Sequence, residues 1–224
     1  MKFRLILLCM LVLMVSCATY KVDGTTSVPT LDGQKLYLKV AHEDMVVDID
    51  SCEVLHGAFK MKGDVDSIML GSLYVGGESL MPIVIERGNI QISIENSGLE
   101  VKGTPLNERL YEFIRQKDIL EGQLSEATHQ QMQWILDGMM ADEAENRMKQ
   151  EVEVLVAKMN RLVVEFVTSN FDNVLALQIF SVYCQSFPQP IMTPVIQEIM
   201  EEAPDNFKED SFVKAYLQTA SEEQ

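Results

Sequence analysis

NIQISIEN, residues 89–96, and TPLNERLYEF, residues 104–113, lie close together in the chain and obey different rules. In the first, Ile90, Ile92 and Ile94 point one way while Gln91, Ser93 and Glu95 point the other, the signature of a strand with one apolar and one wet face. In the second, Thr104 places a capping hydroxyl before Pro105 at the first helical position, which opens a helix. The chain therefore divides near Thr104, with strands upstream and helices downstream. The expected class is α+β: an N-terminal antiparallel β-sandwich or partly open barrel, followed by a C-terminal helical bundle packed on it.

Working upstream, KLYLKVA (35–41), MVVDIDS (45–51), GAFKMKG (57–63), IMLGSLYV (68–75) and PIVIERG (82–88) are short alternating runs separated by Gly, Asn and Asp. With NIQISIEN they predict six antiparallel strands, and Arg87-Gly88-Asn89 predicts a hairpin between the last two. Downstream, Met148, Val152, Leu155, Val156, Met159, Leu162, Val163 and Phe166 follow three- and four-residue steps, one apolar helix face. Thr193-Pro194 repeats the capping device of Thr104-Pro105. About five helices are expected, starting near Pro105, Glu126, Asn146, Asn173 and Pro194, with a short last one over residues 212–217.

The first residues carry an address. Lys2 and Arg4 precede LILLCMLVLMV (5–15), an apolar run too short for the roughly 20 residues that cross a bilayer but suited to a secretory signal. Met14-Val15-Ser16-Cys17 resembles the lipobox of bacterial lipoproteins, which implies removal of a signal peptide spanning residues 1–16 and lipid attachment at Cys17. Ala18 is not the aspartate that resembles an inner-membrane retention signal, and no acidic cluster of the surface-export kind follows. The expectation is an outer-membrane lipoprotein facing the periplasm, with residues 17–104 a β domain and 105–224 a helical domain.

Charge narrows the partners. The chain has 18 basic and 34 acidic side chains, and loss of residues 1–16 removes two bases and no acid, leaving a net −18. Such a surface repels phosphate backbones and anionic head groups, so nucleic acid is excluded and the membrane is expected to be reached through the lipid.

A search for chemistry returns little. Cys52 and Cys184 remain after Cys17; they form no CxxC pair or zinc set, and a bridge between them stands beside the reading of two small buried thiols. His42, His56 and His129 fit no metal motif. Asp48/Asp50 and Asp64/Asp66 suggest calcium only superficially and read better as strand-end turn formers. Trp134 with Met132, Met139 and Met140 reads as helix packing, and Gly76-Gly77-Glu78-Ser79 lacks the spacing of a phosphate loop. No metal, cofactor or catalytic residue is expected, and the protein is expected not to be an enzyme.

IDSCEVLHGAFKMKGDVDS (49–67), IVIERGNIQISIE (83–95) and VKGTPLNERLYEF (101–113) together resemble the module called domain of unknown function 4369. Its pattern falls here on Asp50, Ser51, Gly57, Phe59, Gly63, Glu86, Gly88, Ile90, Gly103, Thr104 and Asn107, with the glycines expected in turns and Phe59 as a core anchor. FVTSNFDNVLALQIF (166–180) resembles the family's continuation, extending the likeness to about residue 217. That module commonly precedes a thioredoxin-like domain in lipid-anchored periplasmic proteins. Such a domain would begin where Gln224 stands, and its catalytic cysteines have no counterpart here. Two functions compete: a non-catalytic binding or scaffold module that holds an unknown periplasmic protein or ligand, and an accessory to a separate thioredoxin-like protein working through Cys52 or Cys184.

Overall fold

In the computed structural model, residues 19–42 and 45–222 are described. They form strands and then helices, an α+β order, in two compact units, the first running to Asn107 and the second from Glu108. The signal segment and Cys17 lie outside the described residues.

The first unit holds eight strands: β1 (Thr19–Thr26), β2 (Lys35–His42), β3 (Met45–Glu53), β4 (Ala58–Asp64), β5 (Met69–Val75), β6 (Glu78–Ile85), β7 (Gly88–Glu95) and β8 (Gly98–Lys102). They make two four-stranded sheets, ordered β4-β1-β7-β8 and β3-β2-β5-β6, and no closed barrel. Ile90, Ile92 and Ile94 of β7 are buried as their alternation requires, and Leu36, Leu38, Leu73, Met81, Ile83 and Ile85 supply the apolar face of the second sheet. Burial of the three isoleucines alone contributes on the order of 6 kcal/mol.

Three features depart from the sequence reading. β1 and β8 are strands that the alternating runs did not include. β1 pairs with β7 in parallel, not antiparallel. Parallel neighbours need a long crossover, and here the whole second sheet provides it. For the same reason Arg87-Gly88-Asn89 is no hairpin: β6 and β7 belong to different sheets, and these residues carry the chain from one to the other.

Glycine and aromatic residues interlock across β1 and β4. Tyr20 is paired with Gly63 and Gly24 with Phe59. A Cβ on Gly24 would stand 2.1 Å from the Phe59 ring, and one on Gly63 would stand 2.7 Å from the Tyr20 ring. Gly63 is thus a mid-strand seat for an aromatic ring, not the turn residue expected, while Phe59 is the buried anchor expected. Such pairs pin register, because a one-residue slip would drive each ring into a side chain.

The second unit follows from α1 (Pro105–Leu136) through α2 (Ala141–Thr168), α3 (Val174–Gln185), α4 (Pro194–Glu202), α5 (Asp205–Lys208) and α6 (Ser211–Glu222). α1 runs unbroken for 32 residues, so no helix starts near Glu126. Its Gly122 meets nothing within 4 Å, and the tolerable cost of one exposed helical glycine, about 1 kcal/mol, does not break so long a helix. Asn173 and Thr193 cap α3 and α4 by accepting from the N–H of Leu175 and Ile196, at 3.0 and 3.2 Å. Phe180 lies edge-on to Phe207, Phe212 and Tyr216, forming the aromatic centre of the smaller helices.

Candidate functional site

The wet face of β1, β7 and β8 forms a shallow hollow of about 440 Å³. Strand alternation sets its polar side chains in rows. Asp23 stands opposite Gln91, which stands opposite Lys102; Thr25 stands opposite Ser93, which stands opposite Glu100. Lys60 of β4 extends the first row by an ion pair with Asp23 at 3.2 Å, and Lys102 and Glu100 pair at 2.7 Å. Donors and acceptors of both charges are displayed on a rigid sheet, which is what hydrogen-bonded recognition of a polar partner requires.

Next to this face the chain leaves β8 for α1 through a buried polar junction. Glu86, 6% exposed, accepts from the N–H of Leu106 at 2.9 Å and of Asn107 at 3.1 Å through one carboxylate oxygen, Oε1. These are donors of the first helical turn, which have no partner within a helix, and a negative charge is favoured there. Asn107, 0% exposed, accepts from the Val84 N–H at 2.9 Å and donates to the Val84 carbonyl at 2.7 Å and to Thr104 Oγ1 at 2.9 Å. β6 is an edge strand, so the Asn107 carboxamide takes the place of one peptide group of a missing neighbour and closes that edge. Gly103, at φ 89°, makes the approach possible, since a Cβ there would stand 2.4 Å from the Asn89 carbonyl oxygen.

Asp50 performs a comparable task between the sheets. Its carboxylate accepts from the N–H of Ser51 at 2.7 Å, the N–H of Lys62 at 3.1 Å and the hydroxyl of Tyr20 at 3.0 Å. Burial, reinforced by the Asp50 carboxylate, raises the Tyr20 hydroxyl well above its usual range and keeps it a donor. Asp50, Gly63, Glu86, Gly103 and Asn107 all fell in one sequence pattern, and each is occupied in holding strands or the helix start.

That pattern is confirmed by comparison: residues 20–110 match the family described as a domain of unknown function (DUF4369). Over those residues the chain is similar to DUF4369 domains. The match ends at residue 110, so the likeness expected to continue through the helices to residue 217 is shown only for the strands and the first helical turns. No curated protein matches the chain.

The other residue groups singled out from sequence are dispersed. Asp48 and Asp50 are not strand-end turn formers; both lie within β3. Residue 48 pairs with Lys39 and residue 50 with Leu38, leaving Ile49 as an extra residue. This bulge turns a same-face pair into opposite faces. Asp48 pairs with Lys39 at 2.9 Å on one side, and Asp50 reaches Tyr20 on the other. His56 sits with Gly57 in a tight turn, both at positive φ, and His129 Nδ1 lies 2.7 Å from the Ser125 carbonyl on α1. His42 ends β2, and its side chain lies outside the described residues. No group of three metal-ligating side chains occurs among the described residues, and no described helix is long and apolar enough to cross a membrane. Trp134 packs as a helix residue, with the Arg147 guanidinium 4.2 Å from its ring centre.

Cys52 on β3 and Cys184 on α3 are free thiols, one in each unit. Burial pushes Cys184 up to about 12, only partly offset by its hydrogen bond with Tyr216, and burial likewise raises Cys52, helped by Asp50. Since the thiolate is the reactive form, the buried Cys184 thiol is held in its unreactive form at pH 8, and its reactivity rises with pH. Alkylation of the native protein at pH 8 is expected to leave Cys184 unmodified and Cys52 slow, with both labelled in denaturant. Native labelling of Cys184 at the rate of a free cysteine contradicts this geometry.

Proposed function

We propose that this chain is a non-catalytic binding module of the cell envelope, tethered by a lipid on Cys17 and holding a polar partner on the wet face of its DUF4369-like domain. The observation that carries the reading is the row order of Asp23, Gln91 and Lys102 beside Thr25, Ser93 and Glu100, a patterned polar surface around one hollow. The fingerprint residues support it from the other side. Asp50, Glu86 and Asn107 are engaged in structural hydrogen bonds, so a partner is met by the exposed side chains and not by the fingerprint. The basic start, the apolar run and the Met14-Val15-Ser16-Cys17 order support the tether and the outer-membrane address. An accessory role in thiol exchange draws no support from two thiols held protonated by burial.

The test is cross-linking capture from native envelopes. Gln91→Arg combined with Ser93→Arg is expected to abolish capture of the wild type's partner while leaving the unfolding midpoint unchanged, because both side chains stand on the outer face. Labelled fatty acid is expected to enter the wild type and not Cys17→Ala. Equal capture by the arginine variant would overturn the sheet-face reading, and label in Cys17→Ala would overturn the tether.

A further inference from the structure

α1 and α2 lie antiparallel as a hairpin, with Arg109 bonded to Asn170 at 2.8 Å and the Phe113 and Phe166 rings 4.4 Å apart. Along one side of their seam run three hollows of about 220, 360 and 450 Å³. The first two share Gln116, Leu162 and Glu165, and the second and third share Gln123, so they form one groove. From Arg109 to Gln130 it is about 30 Å long at 1.5 Å per residue. α3 and α4 pack on α2, where Val163, Val164 and Val167 are buried, while Val154 on the groove side is 55% exposed.

The α2 wall of this groove has an order that points to its occupant. Arg147, Glu151, Val154, Lys158, Arg161 and Glu165 follow steps of four and three residues and so lie in one stripe. The stripe is complementary to itself when reversed about position 156: Arg147 comes opposite Glu165, Glu151 opposite Arg161, and Val154 opposite the stem of Lys158. The α1 wall agrees. Arg109 level with Asn170, and Phe113 level with Phe166, place Glu126 level with residue 153, whose reversed counterpart lies beside Lys158. Within one chain these charges pair with neighbours on their own helix, Arg147 with Glu151 at 3.2 Å and Arg161 with Glu165 at 3.4 Å, and Arg147 also lies against the Trp134 ring of α1. Such exposed pairs are weak and readily exchanged.

We propose that the groove is an isologous dimer face, filled by the same hairpin of a second copy turned end for end. A C2 contact demands a patch complementary to itself, and the reversed charge order supplies it around an apolar centre of Val154 and Leu155. A paired-helix face about 30 Å long and about 20 Å wide is of the extent found at the lower end of specific interfaces. This inference concerns the helical unit and stands apart from the sheet-face reading.

Sedimentation equilibrium of the full chain in mild detergent tests it. The wild type is expected to show a reversible monomer–dimer equilibrium. Arg161→Glu and Glu151→Arg are each expected to weaken it about tenfold or more through like-charge contact, and the two together to restore it to within about threefold. Glu151 and Arg161 are about 15 Å apart along one helix, so one chain cannot rescue itself. The double variant instead places like charges at Arg147 and position 151, and at position 161 and Glu165. A purely intramolecular role therefore predicts that the double variant is worse than either single one. A protein monomeric up to about 1 mM, a dimer indifferent to both reversals, or a double variant weaker than the singles would each overturn the proposal. Helical circular dichroism of each variant shows that α2 is intact.

Discussion

Asn107→Ala is expected to lower stability by about 3 kcal/mol, the cost of leaving buried peptide groups without partners. Its side chain bonds both the N–H and the carbonyl of Val84, itself fully buried on an edge strand. Truncation removes three hydrogen bonds at once. The Thr104 hydroxyl also loses a donor, though a rotating hydroxyl adapts more easily than a fixed peptide. Asn107→Asp separates shape from hydrogen bonding, since it keeps the acceptor for the Val84 N–H and turns a negative oxygen on the Val84 carbonyl. It is expected to destabilise at least as much as alanine. Urea unfolding followed by circular dichroism reads both, and a change below about 0.5 kcal/mol for Asn107→Ala, the range of ordinary surface substitutions, would contradict the role assigned to the side chain.

Glu86→Ala carries a comparable expected loss, again about 3 kcal/mol, because a hydrogen bond to a charged acceptor is worth about 1.5–3 kcal/mol and two backbone donors depend on this carboxylate. Glu86→Gln keeps an oxygen in reach and is expected to lose roughly half as much, the part due to charge at a helix start. The order alanine worse than glutamine follows from a structural carboxylate.

Much of this architecture was legible in the chain. The break in period between residues 96 and 104 divides strands from helices, and Ile90, Ile92 and Ile94 bury the face that their alternation names. Thr193 caps the helix that it announces, and the helix expected to start near Asn173 does so, with that side chain as its cap. The DUF4369 pattern was legible too, although what its residues do was not. Glu86 and Asn107 are 21 positions apart, and only the fold brings a carboxylate from the end of one sheet to the first turn of a helix.

The rest escaped for the same non-local reason. Arg87-Gly88-Asn89 has the composition of a hairpin, but whether flanking strands pair or part company is decided by the partners that each finds elsewhere. β7 finds β1, far away in sequence, and local composition cannot show a parallel pair. The aspartates of β3 kept an even spacing while a bulge at Ile49 sent them to opposite faces. Gly63 looked like a turn because its true neighbour, the Tyr20 ring, lies on another strand. The hollow of the wet face was foreshadowed only by Gln91, Ser93 and Glu95; Asp23 and Lys102 join it through β1 and β8, strands that the sequence reading passed over.

The claim on which the account turns is that the DUF4369 fingerprint is a folding device centred where strand gives way to helix, leaving the outer sheet face for recognition. Amide hydrogen exchange of Leu106 and Asn107 measures it at the bonds themselves. In the wild type both amides are predicted to be protected like those of the strand core, although they stand in a first helical turn that has no internal acceptors. In Glu86→Ala they are predicted to exchange about 100-fold faster, the equivalent of about 2.7 kcal/mol. Unprotected amides in the wild type, or unchanged rates in Glu86→Ala, would contradict it.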